Sequence, residues 1–392
     1  MPRLLLLYTA FIIYGSLYPF QFHDPHLAAS PLWHLLHSWS VRMDRFTARD
    51  ALVNLVLYVP FGTAAFLSFR RRSRLAAAGV VAAGAALSGC IEMAQLFDLH
   101  RTCSTADLVC NMAGTAAGVA LGASLSAPRF RRLAGLGDLR LSAPLVLFVV
   151  WAGYQTFPMF PNLGHTRLAA SLRFLASPAH FSWIELALSC AEWLAVAALL
   201  ETVAGPRLAR KLLPCLWLAV VLRLIIVGRH VSLAEAAAAV LGWAAWRWGL
   251  TRLDQRALAA AALLLAAVVV RGLAPFQFTP RAGVFHWVPF TASLEGENFD
   301  SAMVLMRKAF DYGAVVWLMA GSGAGLAVAA ATTAAVLGSV EVAQLYLPPH
   351  TAEITDPLLA VLMAVVLRTA GRRYRAAPLA PSTTFSPVRQ QR

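Results

Sequence analysis

Long apolar runs, broken by short polar or arginine-rich stretches, set the pattern of this chain. Such runs fall at roughly 4–22, 50–69, 75–97, 105–125, 143–160, 181–203, 212–228, 231–250, 256–276, 302–320, 322–347 and 353–370. About 20 predominantly apolar residues cross a bilayer as a helix. The pattern therefore predicts an all-α integral membrane protein with about twelve transmembrane helices. The run at 212–228 is short and holds Arg223, and the run at 302–320 opens with Arg307, Lys308 and Asp311. The first run has no small-residue cleavage site and continues into Tyr18-Pro19-Phe20-Gln21, which predicts a retained span rather than a signal peptide.

Polar positions recur within the apolar pattern. Gly89 to Gly122 reads as a helix ending in Glu92 and Gln95, a turn carrying Arg101, and a second helix opening with Asp107. Gly338 to Val365 repeats that outline with Glu341, Gln344, His350 and Asp356 at the same spacing. A more eroded copy runs from Leu216 to Trp243, where Val220 stands for Glu92, Arg229 for Arg101, Glu235 for Asp107 and Gly242 for Gly114. Tyr18 to Phe22 and Ala274 to Phe278 share Pro-Phe-Gln-Phe, with a looser echo from Tyr154 to Pro158. The expected organisation is three four-helix repeats, at 1–125, 143–250 and 256–370, followed by a disordered tail over 371–392. An even number of crossings per repeat keeps one orientation and sets any pseudo-symmetry axis along the membrane normal.

Composition agrees with a membrane setting. The chain is 59% hydrophobic and only 13% charged, where a soluble domain has about 25% charged residues. Nearly all of the basic charge is arginine, but no basic stripe with interleaved aromatics appears, so the charge speaks for membrane orientation and not for nucleic acid. With the N-terminus inside, most of the 33 cations collect on one face against Asp138, Glu201 and Asp254 alone. The positive-inside rule then places both termini in the cytoplasm. Ser30-Pro31 predicts the start of a short helix, with the hydroxyl as cap and proline at the first helical position. Trp33, Leu36 and Trp39 would hold that helix at the interface, and Arg167 to Phe174 and Gly283 to Phe290 occupy the matching places. The five cysteines form no CxxC pair and no metal spacing, and read as small buried hydrophobes. A disulfide through Cys103 requires its turn to face an oxidising compartment.

The candidate chemistry converges on the outer end of the first repeat. Asn54 opens the second span, Glu92 and Gln95 close the third, Arg101 is in the turn, and Asp107 and Asn111 head the fourth. Gly114, Gly118 and Gly122 extend that face with the spacing that admits a close helix contact. The Ser104 to Asp107 and Ser232 to Glu235 segments are also capping boxes, and Asp356-Pro357 reads as a cap, so these acids have structural work available. A carboxylate within an apolar helix costs about 2.5 kcal/mol or more unless partnered, and Arg101 is the expected partner of Glu92. Glu192, in the second repeat, is expected to pair with Arg223. No cofactor and no metal are implied.

Asn54, Pro60-Phe61-Gly62, Ile91-Glu92, Gln95, Arg101, Asp107, Asn111, Gly114 and Gly118 together resemble the VanZ-like membrane protein family. The likeness covers about 8–122 well, 270–367 in part, and the second repeat only through its last two spans. It implies a bacterial inner-membrane protein and, through the family's namesake, reduced susceptibility to lipoglycopeptide antibiotics; a triplicated chain departs from the usual single unit. The expected function is binding of a polar or anionic lipid headgroup, or of a lipid-linked envelope molecule, at the outer leaflet. Asn54, Glu92, Gln95, Arg101, Asp107 and Asn111 would form the site. The alternatives are a membrane enzyme on a lipid-linked substrate, with Glu92 or Asp107 as general base, and a transporter or flippase.

Overall fold

The structure, a computed structural model, describes residues 2–27, 29–39, 45–69, 71–99, 101–127, 142–157, 161–291, 298–348 and 350–371. The expected disordered tail lies outside these residues. The described chain is helical, with isolated bridges in place of strands. It divides into two compact units, one of residues 1–140 and 291–302, the other of residues 141–290 and 303–392.

The first unit contains α1 (Pro2–Leu17), α2 (Pro31–His37), α3 (Arg45–Ser68), α4 (Arg74–Gln95) and α5 (Thr105–Ser126). Ser30 caps α2 as expected, its hydroxyl accepting the Trp33 amide at 3.3 Å. Helices α3 and α5 run in the same direction and touch through backbone. A Cβ on Gly114 would overlap the Leu55 carbonyl, one on Gly118 the Val59 carbonyl, and one on Gly62 the Thr115 carbonyl. Thr63 Oγ1 donates across this seam to the Gly118 carbonyl at 2.9 Å. The small-residue spacing read from the sequence thus does what it predicts, because only hydrogen at those positions lets the two backbones close. Ile12, Tyr58, Phe61 and Ile91 form one apolar cluster, and Ala65, Phe66, Val80 and Val119 another.

The second unit holds α6 (Ala143–Thr156), α7 (His165–Ala176), α8 (Trp183–Leu212), α9 (Trp217–Ile225), α10 (Leu233–Ala244), α11 (Arg256–Leu273), α12 (Asn298–Met319) from Met303 onward, α13 (Leu326–Gln344) and α14 (Thr355–Gly371). Residues of the expected second and third repeats share one core here, from Leu147 and Trp193 to Phe310 and Leu367. Helix α8 bends at Gly205, whose φ of 75° breaks the helix before Pro206. Arg167 to Phe174 is helical within α7, whereas Gly283 to Phe290 is extended, with His286 bridged to Glu353.

Each expected span coincides with a helix, but not each helix can cross a bilayer by itself. Among the described residues, 5 helices are long and apolar enough: Ala51–Ser68, Arg74–Gln95, Thr105–Ser126, Arg256–Leu273 and Leu326–Gln344. Helix α9 has 9 residues, a rise of about 13 Å, which is under half the hydrocarbon thickness. The cysteines also depart from expectation. All five are free, Cys90 and Cys215 are exposed and the others half-buried, because each sits on a helix flank or turn outside the packed faces.

Candidate functional site

In the first unit, the C-terminal ends of α1 and α4 meet the N-terminal end of α5. Two segments tie this end together: His23 donates to the Phe97 carbonyl at 2.7 Å, and Leu99 to the Gln21 carbonyl at 3.1 Å. Phe20 has φ 62°, and the Phe20 amide closes the turn on Leu17 at 2.8 Å. Glu92 is 3% exposed, and its Oε2 accepts the Ser104 amide at 2.9 Å. Ser104 caps α5, its hydroxyl accepting the Asp107 amide at 3.3 Å. Thr105 anchors the same turn to α2, through Ser38 and the Leu35 carbonyl.

One turn into α5, Asn111 is buried and donates its Nδ2 to the Ser88 hydroxyl of α4 at 2.9 Å. The Asn111 Oδ1 has no partner. The Tyr58 hydroxyl is buried beside this pair, in electrostatic reach of Ser88 and Glu92 but without a full hydrogen bond. Asn54, half-buried on α3, stands next to Leu55, the residue on which Gly114 packs. The Asp107 carboxylate acts electrostatically on both Glu92 and Cys103. The Cys103 thiol, in the turn, is pushed up by burial and by the Glu92 and Asp107 carboxylates, against a hydrogen bond with Ser38 that lowers it. The end of the unit therefore gathers carboxylate, amide and hydroxyl groups.

Two sequence expectations are corrected here. Arg101 does not pair with Glu92. Its Nε donates to the Tyr18 carbonyl at 3.0 Å and its Nη2 to the Gly15 carbonyl at 3.2 Å. Those carbonyls close α1 and lack intrahelical donors, so the guanidinium turns to them, and Glu92 is met by a backbone amide instead. Gln95 likewise leaves this group, donating to the Ser16 carbonyl at 2.8 Å. Of the six candidates, the fold gathers Glu92, Asp107, Asn111 and Asn54 around the α4–α5 end, and directs Arg101 and Gln95 to α1. The second correction concerns Glu192, whose Oε1 accepts Trp151 Nε1 at 3.0 Å and Gln155 Nε2 at 3.1 Å. Arg223 pairs instead with Glu235 at 2.7 Å, which faces it across the turn.

The same bonds recur in the second unit. Glu341 Oε2 accepts the Glu353 amide at 2.8 Å, Gln344 donates to the Gly272 carbonyl at 2.9 Å, and His350 Nε2 lies 2.5 Å from the Ala274 carbonyl. Thr279 donates to Tyr346 at 2.8 Å and Asn162 to Ile225 at 2.7 Å, in register with His23 and Phe97. Phe276 has φ 63°, as Phe20 has 62°.

Sequence reading missed a set of ion pairs with buried carboxylates in this unit. Asp356 accepts Lys308 Nζ and the Tyr312 hydroxyl, both at 2.6 Å, rather than serving as a bare cap. Arg271 pairs with Asp311 at 3.0 Å, and Arg256 with Glu201 at 2.8 Å. Glu201 and Arg256 had counted as loop charges in the orientation argument, yet both are buried. Their partners lie on helices distant in sequence, so no local spacing marks them. The one legible signal was charge inside an apolar run, at Asp311, Lys308 and Arg271.

The VanZ/LLP1 family profile matches residues 4–126, the length of the first unit's helices. That segment is VanZ-like, and its apolar helices are those of a membrane protein. No curated protein and no solved structure matches the chain.

Proposed function

We propose that the chain is a multi-pass bacterial inner-membrane protein whose VanZ-like first unit binds the polar headgroup of a membrane lipid or lipid-linked envelope molecule. One observation carries the reading. Glu92 and Asn111 are buried at the end of an apolar helix pair, Glu92 has no ion pair with Arg101, and the Asn111 Oδ1 is unsatisfied. Buried polar groups of this kind are costly unless a partner completes them. A headgroup bearing hydroxyl or amino donors supplies that partner, so the polar form of the ligand fits this acidic end better than the anionic form. The recurrent hydrogen bonds support three four-helix repeats totalling about twelve crossings, with short helices such as α9 crossing only as part of the packed unit. The basic loops support cytoplasmic termini and a headgroup site facing the outer leaflet, where an effect on lipoglycopeptide susceptibility would arise.

Lipids co-purified with the wild-type protein and identified by mass spectrometry test this reading. A headgroup class enriched over bulk lipid, and lost in Glu92→Gln at equal membrane abundance, is the expected result. Identical lipid retention by both proteins sinks it. A second reading is favoured by the same lone carboxylate. Glu92, uncompensated by a cation, is also placed to serve as a general base on a lipid-linked substrate, and product formation by purified protein separates that enzyme from a binder. The ion pairs Arg271–Asp311 and Arg256–Glu201 give transport its footing, tested by substrate movement in proteoliposomes.

A further inference from the structure

The turn between α9 and α10 gathers three guanidinium groups, two of which fasten it. Arg223 donates to the His230 carbonyl at 2.8 Å and pairs with Glu235. Arg167, from α7, donates to the Ile226 carbonyl at 2.8 Å and to the Arg229 carbonyl. Arg229 does neither. It is 7% exposed, its Nη1 meets the Met303 thioether at 2.8 Å, and its carbon lies 4.9 Å from the centroid of the Tyr154 ring, whose hydroxyl also interacts with it. Its Nε and Nη2 have no hydrogen-bond partner, and the Nε atoms of Arg167 and Arg223 are also buried and unpartnered. A thioether is a weak acceptor, and a ring face offsets only part of the desolvation of a guanidinium.

The surroundings are cationic. The nearby carboxylates are committed, Glu235 to Arg223 and Glu185 to the Ser232 hydroxyl at 3.0 Å. Burial, Arg167, Arg223 and His180 push the His230 imidazole down, and burial and Arg223 push Arg229 down, partly offset by Tyr154 and Glu235. A further positive charge is therefore unwelcome in this turn. Trp183 is 76% exposed where α8 begins, and Phe181 packs edge-on against it at 4.9 Å. Aromatic rings so placed sit at headgroup level. Phe174 contacts both His180 and His230, at 4.1 and 4.9 Å, which links that level to the turn.

We propose that this turn is a binding site for a phosphate-type anion, gripped by the unpartnered Nε and Nη2 of Arg229 and assisted by Arg167 and Arg223. A guanidinium fork matches phosphate oxygens in geometry and charge. The anion is either the phosphodiester of an acidic lipid or free phosphate, and no bond is made or broken. The site uses no residue of the VanZ-like segment, so it stands or falls separately from the headgroup site there.

The full-length protein is tested in two arms. In detergent, inorganic phosphate is titrated at constant ionic strength while thermal unfolding is followed. In nanodiscs of equal phosphatidylglycerol and phosphatidylcholine, retained lipid is read by native mass spectrometry. We expect stabilisation by phosphate, preferential retention of phosphatidylglycerol, or both, and a loss of about tenfold or more in affinity for Arg229→Gln. Arg229→Lys, which keeps the charge and loses the fork, should fall between. Phosphate alone identifies a soluble anion, and phosphatidylglycerol alone a lipid. Neither response in the wild type, or wild-type binding by folded Arg229→Gln, overturns the proposal. Should Arg229→Gln not fold, phenylglyoxal modification of wild-type Arg229 decides. Protection by phosphate or phosphatidylglycerol supports the site, and absence of protection by either overturns it.

Discussion

Arg101, in the turn after α4, and Arg229, in the turn after α9, stand at matching places in the sequence pattern, and their side chains have opposite fates. Arg101 donates to Tyr18 and Gly15 and so closes the end of α1. Arg229 is more deeply buried in its turn but meets a thioether and a ring face. After α13, His350 approaches the Ala274 carbonyl at 2.5 Å, following the Arg101 pattern. The basic residue of this turn is thus a clasp for the end of an earlier helix, α1 or α11. Where other arginines hold the turn, as Arg167 and Arg223 do around Arg229, the basic residue is not needed as the clasp.

The largest effect should come from the helix seam that makes the first unit's clasp necessary. A Cβ on Gly114 would overlap the Leu55 backbone, whereas one on Gly242 would meet the Trp193 side chain at 2.7 Å. Gly114→Leu should abolish folded protein, and Gly114→Ala should cost more than Gly242→Ala, because a side chain yields where backbone does not. Melting of the detergent-solubilised protein by fluorescence-detected size exclusion measures this; equal losses at the two glycines would break the contrast. Next in size, Glu235→Gln leaves Arg223 buried without its carboxylate and should cost about 3–5 kcal/mol. If that protein instead melts like the wild type, the Arg223–Glu235 pair is not what holds the second turn.

The central contrast predicts opposite signs. Arg101→Met removes two charge-assisted hydrogen bonds to carbonyls and should destabilise the unit by about 2 kcal/mol. Arg229→Met removes a buried charge without a paired carboxylate, and should be neutral or stabilising in protein stripped of anions. Loss of stability in Arg229→Met equal to that of Arg101→Met would show that both arginines are clasps.

The smallest effect is on thiol chemistry. Burial and the two carboxylates raise the Cys103 pKa, so less thiolate is present at neutral pH and maleimide should react more slowly than with an ordinary exposed thiol. Glu92→Gln removes one of those charges and should speed labelling by a few-fold, with the pH midpoint moving down. An unchanged or upward-shifted midpoint would place Glu92 away from the turn. In intact cells the same reagent reports which face carries Cys103, and labelling only after permeabilisation would reverse the proposed orientation.

Much of this was legible along the chain because it depends on short-range pattern. Apolar runs of helical length located the helices, Ser30-Pro31 located the start of α2, and glycines four apart located the α3–α5 seam. Even the equivalence of Glu92 with Glu341 was visible as spacing, and both acids accept a backbone amide 12 positions on. What the chain could not disclose is which partner each polar group chooses. Glu92 and Arg101 are near in sequence and of opposite charge, yet the carbonyl ends of α1 take the arginine. Arg256 and Glu201 look like loop charges, and Arg271 and Asp311 like unrelated ones, until helices far apart in sequence bring each pair within 3.0 Å. Repeating hydrophobicity is imposed residue by residue by the bilayer and the helix period. Polar pairing at the helix ends is decided by competition among donors and acceptors that only the packed helices bring within reach.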